Sequence, residues 1–296
     1  MNRNIVCFGE VLWDIFPTHK KLGGAPLNVA LRAASLGAQV TMISQVGKDS
    51  DGAEIVDLVN QYGLLPEMIS VCKEYATGIV KVMVNQKGNA SYDILYPSAW
   101  DNIAISNRMK AVVSESDAFI FGSLICRDEV SRSTLFQLLE CAKYKVFDVN
   151  LRAPYYTIEV INELMDKADF IKFNDTELVE ICQMNNSPYH SLEQNILFVA
   201  EQTNTRHICV TKGRHGAVLF YDGQFYYNSG FFVKVLDTVG SGDSFLATLI
   251  NHLLQKTDPL KSITYACAMG ALVATFEGGN PQITNDQLEA FINPAV

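Results

Sequence analysis

The sequence is short of basic charge. Its 23 Lys and Arg stand against 32 Asp and Glu, a formal net charge of -9. An acidic surface argues against nucleic acid or an anionic membrane as the main partner. It still admits a phosphorylated ligand, because backbone N–H groups bind phosphate without any surplus of Lys or Arg. Long hydrophobic runs are missing too, each being broken by charge or glycine before membrane-spanning length, so no transmembrane helix is expected. The first ten residues lack the apolar stretch and small-residue cleavage site of a signal peptide and read as an opening strand. The seven cysteines, at 7, 72, 126, 141, 182, 209 and 267, form no CxxC pair. Most lie inside apolar segments such as Ile208-Cys209-Val210, which suits reduced core residues of a cytoplasmic protein. The five His show no ligand spacing with them, which argues against a zinc cluster. No repeat, low-complexity stretch or linker divides the 296 residues, so one domain, 1–296, is expected.

What is present is an alternation of short β-like runs with helical ones. Strands are expected at 5–9, 40–46, 118–121, 146–149, 170–173 and 207–211. Helices are expected at 27–36, 52–62, 131–143, 158–167, 175–183 and 191–203. Asp222-Gly223 between two apolar runs is a hairpin signal. Strands separated by helices imply a mostly parallel sheet with helices on both faces. Segments 77–84 and 90–96 break the pattern and read as antiparallel strands joined across 85–89. With residues 11–21 they suggest a small β lid, an ordinary hairpin excursion being the plainer alternative.

The most informative segment is Asp237-Thr238-Val239-Gly240-Ser241-Gly242-Asp243-Ser244-Phe245. A strand is expected before it, at 233–236, and a helix after it, at 244–254, with apolar residues at 245, 246, 249, 250, 253 and 254. Gly240, Ser241 and Gly242 let a ligand approach the backbone, where the unpaired first N–H groups and the dipole of the helix form an anion site. Asp243 beside it is placed to accept a proton from an attacking hydroxyl. A Gly-rich turn with an Asp at a helix start is the plainer reading of such a segment alone. Phe245 breaks a GxGxxG fingerprint, and neither a GxxxxGK[ST] loop nor an HRD or DFG set occurs.

The segment resembles the C-terminal signature of the PfkB (ribokinase-like) carbohydrate kinase family. That resemblance implies an anion hole for the ATP γ-phosphate at Gly240, Ser241 and Gly242, with Asp243 as catalytic base. Ser241 and Thr248 stand where the family prefers smaller residues. Leu22-Gly23-Gly24-Ala25-Pro26-Leu27-Asn28 resembles the family's N-terminal signature, which implies sugar contacts at Gly23, Gly24 and Asn28. A tight turn with Asn28 as a helix cap would look the same. Asp14 matches an acidic residue that binds sugar hydroxyls in the family, and Asp148-Val149-Asn150-Leu151-Arg152 resembles its DxNxR segment, which implies that Arg152 holds a sugar hydroxyl or a phosphate oxygen, a surface ion pair being the plainer alternative. Asn174-Asp175-Thr176-Glu177 matches NxxE, which organises Mg²⁺ and phosphates, Glu177 acting largely through water; a capping pattern explains the same spacing. Thr211 and Gly213 resemble the nucleotide loop, and Gly278-Gly279 the adenine-side and monovalent-cation loop, with Asp237 a candidate K⁺ ligand. Glu277 departs from a commonly basic position there.

The resemblance runs from Gly9 to Gly279. It implies a ribokinase-like three-layer α/β/α sandwich with a small β lid formed by about 11–21 and 68–103. The implied reaction moves the γ-phosphoryl of Mg-ATP to a primary hydroxyl of a small sugar. Gly-Gly-Ala-Pro-x-Asn is similar to fructokinases, so fructose comes first. Ribose, 2-keto-3-deoxygluconate and a nucleoside stay open, as does a non-catalytic sugar sensor on the same fold. Unpaired lid edges suggest a homodimer through the lid.

Overall fold

The computed structural model describes residues 3–84 and 90–294. The chain opens with β1 (Asn4–Phe8), then the hairpin β2 (Leu12–Ile15) and β3 (Lys20–Gly23), helix α1 (Ala25–Ser35) and β4 (Gln39–Gly47). Next come α2 (Ser50–Gln61), β5 (Ile69–Cys72), and a second hairpin, β6 (Gly78–Val84) and β7 (Ala90–Ile94). Regular alternation follows: α3 (Asn107–Glu115), β8 (Ala118–Gly122), α4 (Glu129–Leu139), β9 (Lys145–Asp148), α5 (Ile158–Lys167) and β10 (Phe170–Asn174). Helices α6 (Asp175–Met184) and α7 (Leu192–Thr203) lead to β11 (His207–Thr211), β12 (Ala217–Tyr221) and β13 (Gln224–Asn228). The chain closes with α8 (Ser241–Leu254), α9 (Pro259–Val273) and α10 (Asn285–Ile292).

Nine strands form one sheet in the order β13-β12-β11-β10-β9-β8-β1-β4-β5. All neighbours are parallel except where β12 runs against β11 and β13. The period-2 alternation of strand side chains sends Val6, Phe8, Phe121, Phe147 and Phe173 into one core, and Ile5, Cys7, Ile120, Val146 and Phe170 into another. Helices α3 to α7 close the first core with Val113, Leu135, Leu164, Leu178 and Val199. Helices α1, α2, α8 and α9 close the second with Leu27, Ile55, Leu249 and Ile263. Burial on both faces explains why these strands read as apolar runs rather than alternating ones. The result is the three-layer α/β/α sandwich that the sequence led us to expect.

A second sheet, ordered β3-β2-β6-β7, stands off the end of the first. The connection expected at 85–89 lies outside the described residues. Two expectations need correction. Residues 233–236 form no strand, and Leu236 N bonds to Ala274 O at 2.8 Å. The apolar Val233 and Val235 mimic a strand, but the segment pairs with no strand, and β13 stays the edge of its sheet. Strand β5, within the range assigned to the lid, pairs with β4 at the edge of the main sheet instead. Among the described residues no helix is long and apolar enough to cross a membrane.

β1 lies between β4 and β8, so the direction in which strands are added reverses at β1. In open α/β sheets ligands sit outside the carboxyl ends of the strands at such a reversal. Glu10, Asp148, Asn174 and Thr211 all stand at that end.

Candidate active site

Helix α8 is capped at its N-terminus by Gly240, in the left-handed region with φ 71°. A Cβ there would fall 2.4 Å from Gly279 Cα, so the two loops touch backbone to backbone and only glycine fits. Ser241 N donates to Thr238 O and Ser244 N to Gly240 O. That leaves Gly242 and Asp243 as first-turn N–H groups without a hydrogen-bond partner among the described residues. Their orphan donors and the helix dipole make an anion site.

Asp243 stands beside those donors. Its Oδ2 accepts a 2.8 Å hydrogen bond from Asn28 Nδ2, and Asn28 Oδ1 in turn accepts from Asn280 Nδ2 at 2.7 Å. Burial, and then the nearby Asp148 carboxylate, push the Asp243 pKa up to about 6, against the Asn28 hydrogen bond, Lys172 and Arg152. A carboxylate titrating near there is still ionised at neutral pH and basic enough to take a proton.

The expected sugar contacts gather on the other wall. Asp14 on β2 lies against Gly23, where a Cβ would meet its Oδ2 at 2.4 Å. Gly24 caps α1 at φ 108°, with Glu10 O where its Cβ would be. Burial raises Asp14 to about 6 and the buried Glu10 to about 7, while Arg152 pulls both down and Asp243 pushes both up. Arg152, exposed at the rim, is close enough to stabilise the charge of all three carboxyl groups.

Between the walls lies a buried charge cluster. Lys172, on β10, donates to Asp148 Oδ1 at 2.7 Å. A Cβ on Gly242 would lie 3.8 Å from its ammonium. Burial opposes its charge, but Asp148, Glu177 and Asp243 together hold its pKa above the usual value. Asn174 and Glu177 form the capping box of α6: Glu177 N donates to Asn174 Oδ1, and Asn174 N to Glu177 Oε2, each at 2.8 Å. Glu177 Oε1 accepts from Leu151 N at 3.0 Å. Asp148 Oδ2, in contrast, is buried without a partner. Thr211 lies in register beside Asn174, and Gly213 follows at φ 53° with open space around its Cα.

The family model described as pfkB family carbohydrate kinase matches residues 3–285. The chain belongs to that family. The kinase is 27% identical to fructokinase-2 of Solanum lycopersicum over 94% of its own chain and 92% of the relative. It is 28% identical to the fructokinase of Vibrio alginolyticus, over 96% and 97% of the two chains. Among solved structures, fructokinase from Xylella fastidiosa with bound ATP superposes with a TM-score of 0.89 at 21% identity, over 99% and 98% of the chains. Vibrio cholerae fructokinase bound to fructose, ADP and a calcium ion gives 0.84 at 23%, over 98% and 99%. The kinase is thus a phosphotransferase with an alcohol group as acceptor, on the ribokinase-like fold.

The structure joins most of the residues expected from sequence. Asp14, Gly23, Gly24, Asn28, Arg152, Gly240, Gly242, Asp243 and Gly279 share one cleft. Asn174, Glu177 and Thr211 line its next strand ends, and Gly213 lies beyond them. Gly279, expected at the adenine side, abuts Gly240 and Asn28 near the phosphoryl turn. Ser241 Oγ is buried without a hydrogen-bond partner. Sequence reasoning missed Glu10 and Lys172 as site charges. The signal was there: each is a lone charge in an otherwise apolar run.

Proposed function

We propose that this kinase phosphorylates fructose from Mg-ATP, with Asp243 as the base. The observation that carries the reading is Asp243 at the start of α8, held by Asn28 and flanked by two unspent backbone donors. Asp14, Gly24, Asn28 and Arg152 hold the sugar so that a primary hydroxyl faces Asp243. Asp243 takes the hydroxyl proton as the oxygen attacks the γ-phosphorus of ATP and the bond from that phosphorus to the β-phosphate oxygen breaks, so that ADP leaves. The N–H groups of Gly242 and Asp243 hold the moving phosphoryl, which needs positioning and charge stabilisation more than covalent help.

The donor set fits a hydrated divalent ion. Mg²⁺ keeps several waters and takes few protein ligands. Both Glu177 oxygens already accept backbone bonds, so Glu177 would reach it only through water, and the nearby Asp148 Oδ2 is a carboxylate oxygen with no hydrogen-bond partner. Bound there, the ion would neutralise phosphate charge. Asn174, Thr211, Gly213 and Gly279 line the nucleotide side, and closure of the small sheet excludes water. The outer strands β3 and β7 are the edges through which two copies would pair.

ADP release with Mg-ATP, measured across fructose, ribose, 2-keto-3-deoxygluconate and adenosine, tests the substrate. Turnover highest with fructose supports the reading. Turnover confined to another acceptor would replace fructose, and sugar binding without any turnover would overturn the catalytic reading.

A further inference from the structure

Asp237 does not present itself as an open cation ligand. Its Oδ1 accepts from Val239 N at 3.0 Å. Its Oδ2 accepts from Gly278 N at 3.0 Å and from the Lys21 ammonium at 3.2 Å, 216 residues away in sequence. The carboxylate thereby pins the loop entering α8 to the 278–280 loop, the same two loops that touch at Gly240 and Gly279. Fixed positive charge on Asp237 stabilises that junction, and the side chain supplying it comes from β3 of the small sheet.

Lys21 is held for the task. A Cβ on Gly278 would lie 3.7 Å from its Cδ, and its ammonium sits 5.3 Å from the Phe16 ring centroid. The side chains of Lys21 and Asp237 are only 24% and 20% exposed, so solvent screens this pair less than a surface one. Across the β2–β3 ladder Lys21 stands directly opposite Asp14. One ammonium therefore lies between the carboxylate expected to hold the sugar and the loop that forms the anion site.

We propose that Lys21 is the kinase's built-in monovalent cation, a positioning residue that holds the phosphoryl-binding turn through Asp237 and makes its order depend on the small sheet. Its bearing on sugar phosphorylation rests on the function proposed above. Its role at Asp237 does not. A fluorescent ADP analogue titrated without sugar, and ADP release with fructose, are compared in K⁺ and in tetramethylammonium at one ionic strength. Wild type is expected to give the same values in both salts. Lys21→Met is expected to lose about tenfold in nucleotide affinity or kcat in tetramethylammonium and to regain most of it in K⁺. Lys21→Arg keeps its charge and is expected to behave as wild type does, with circular dichroism confirming that each variant is folded. A wild type that K⁺ activates severalfold, or a Lys21→Met protein indifferent to both substitution and salt, overturns the proposal. If fructose gives no turnover but the nucleotide titrations show the expected pattern, the substrate reading fails and the role of Lys21 stands.

Discussion

Asp243, the proposed base, is held by neighbours from distant parts of the chain. Burial and Asp148 raise its pKa to about 6, and Asn28 orients it. Asp243→Asn keeps the shape but cannot accept the proton, so kcat should fall roughly 10²–10⁴-fold with KM for the sugar little changed. Steady-state kinetics of the purified variant check this, and a kcat within threefold of wild type would remove Asp243 from the base role. A base works deprotonated, so if Asp243 has that role kcat/KM should rise with pH through about 6 and level off above 7. A rate profile that is flat from pH 5 to 8 would contradict that assignment. Thr248, which looked intrusive in sequence, is accommodated: its hydroxyl returns to Ser244 O at 2.8 Å, so no buried polar group is left unpaired.

At the scale of elements, the turn before α8 and the loop at Gly279 act as one unit. Gly240→Ala would place a methyl 2.4 Å from Gly279 Cα at a φ that L residues seldom adopt. The two loops must part, so activity should fall at least about tenfold, alongside a backbone penalty of roughly 1–2 kcal/mol. Kinetics together with urea melts would show it, and unchanged values in both would mean the loops yield freely. The strands of the main sheet were legible in sequence because burial on both faces makes short apolar runs, and their helices because glycine and polar caps punctuate them. Strand 233–236 misled for the same reason, since alternating apolar residues speak of burial and not of a ladder partner. At the site, Asp243 and its glycines could be read locally. The tie between Asn28 and Asp243 could not, because 215 residues separate them. Nor could the engagement of Asp237 by Lys21, which depends on where the small sheet comes to rest.

The whole molecule must hold its small sheet in place and concentrate acidic groups beneath it, and both demands leave marks on stability. The first is met at the root of that sheet, where Arg127 donates to both oxygens of Asp101 at 2.7 Å and packs 3.9 Å from the Trp100 ring centroid. The side chains of the pair are 1% and 0% exposed, so Asp101→Asn strands a buried guanidinium and should cost about 3–5 kcal/mol in urea unfolding. A loss under 1 kcal/mol would show that water reaches Arg127. The second demand is a cost built into the cleft. Glu10, Asp14 and Asp243 all have pKa values raised on folding, to about 7, 6 and 6. Between their ordinary values near 4 and these raised ones, the folded state binds more protons than the unfolded, so these groups lower stability as pH rises through that window. Burial lowers His207 and His252, which act in the opposite sense below their ordinary value of 6.5, so the wild-type curve alone mixes the two trends. A difference between variants separates them. Asp243→Asn should melt with wild type at pH 4, where the carboxyl is protonated in the fold, and above it at pH 8, where wild type carries a poorly solvated charge. Equal Tm values at both pH values would mean that Asp243 is solvated as well in the cleft as in the unfolded chain. A variant that is more stable yet inactive would locate the cost of catalysis in this carboxylate.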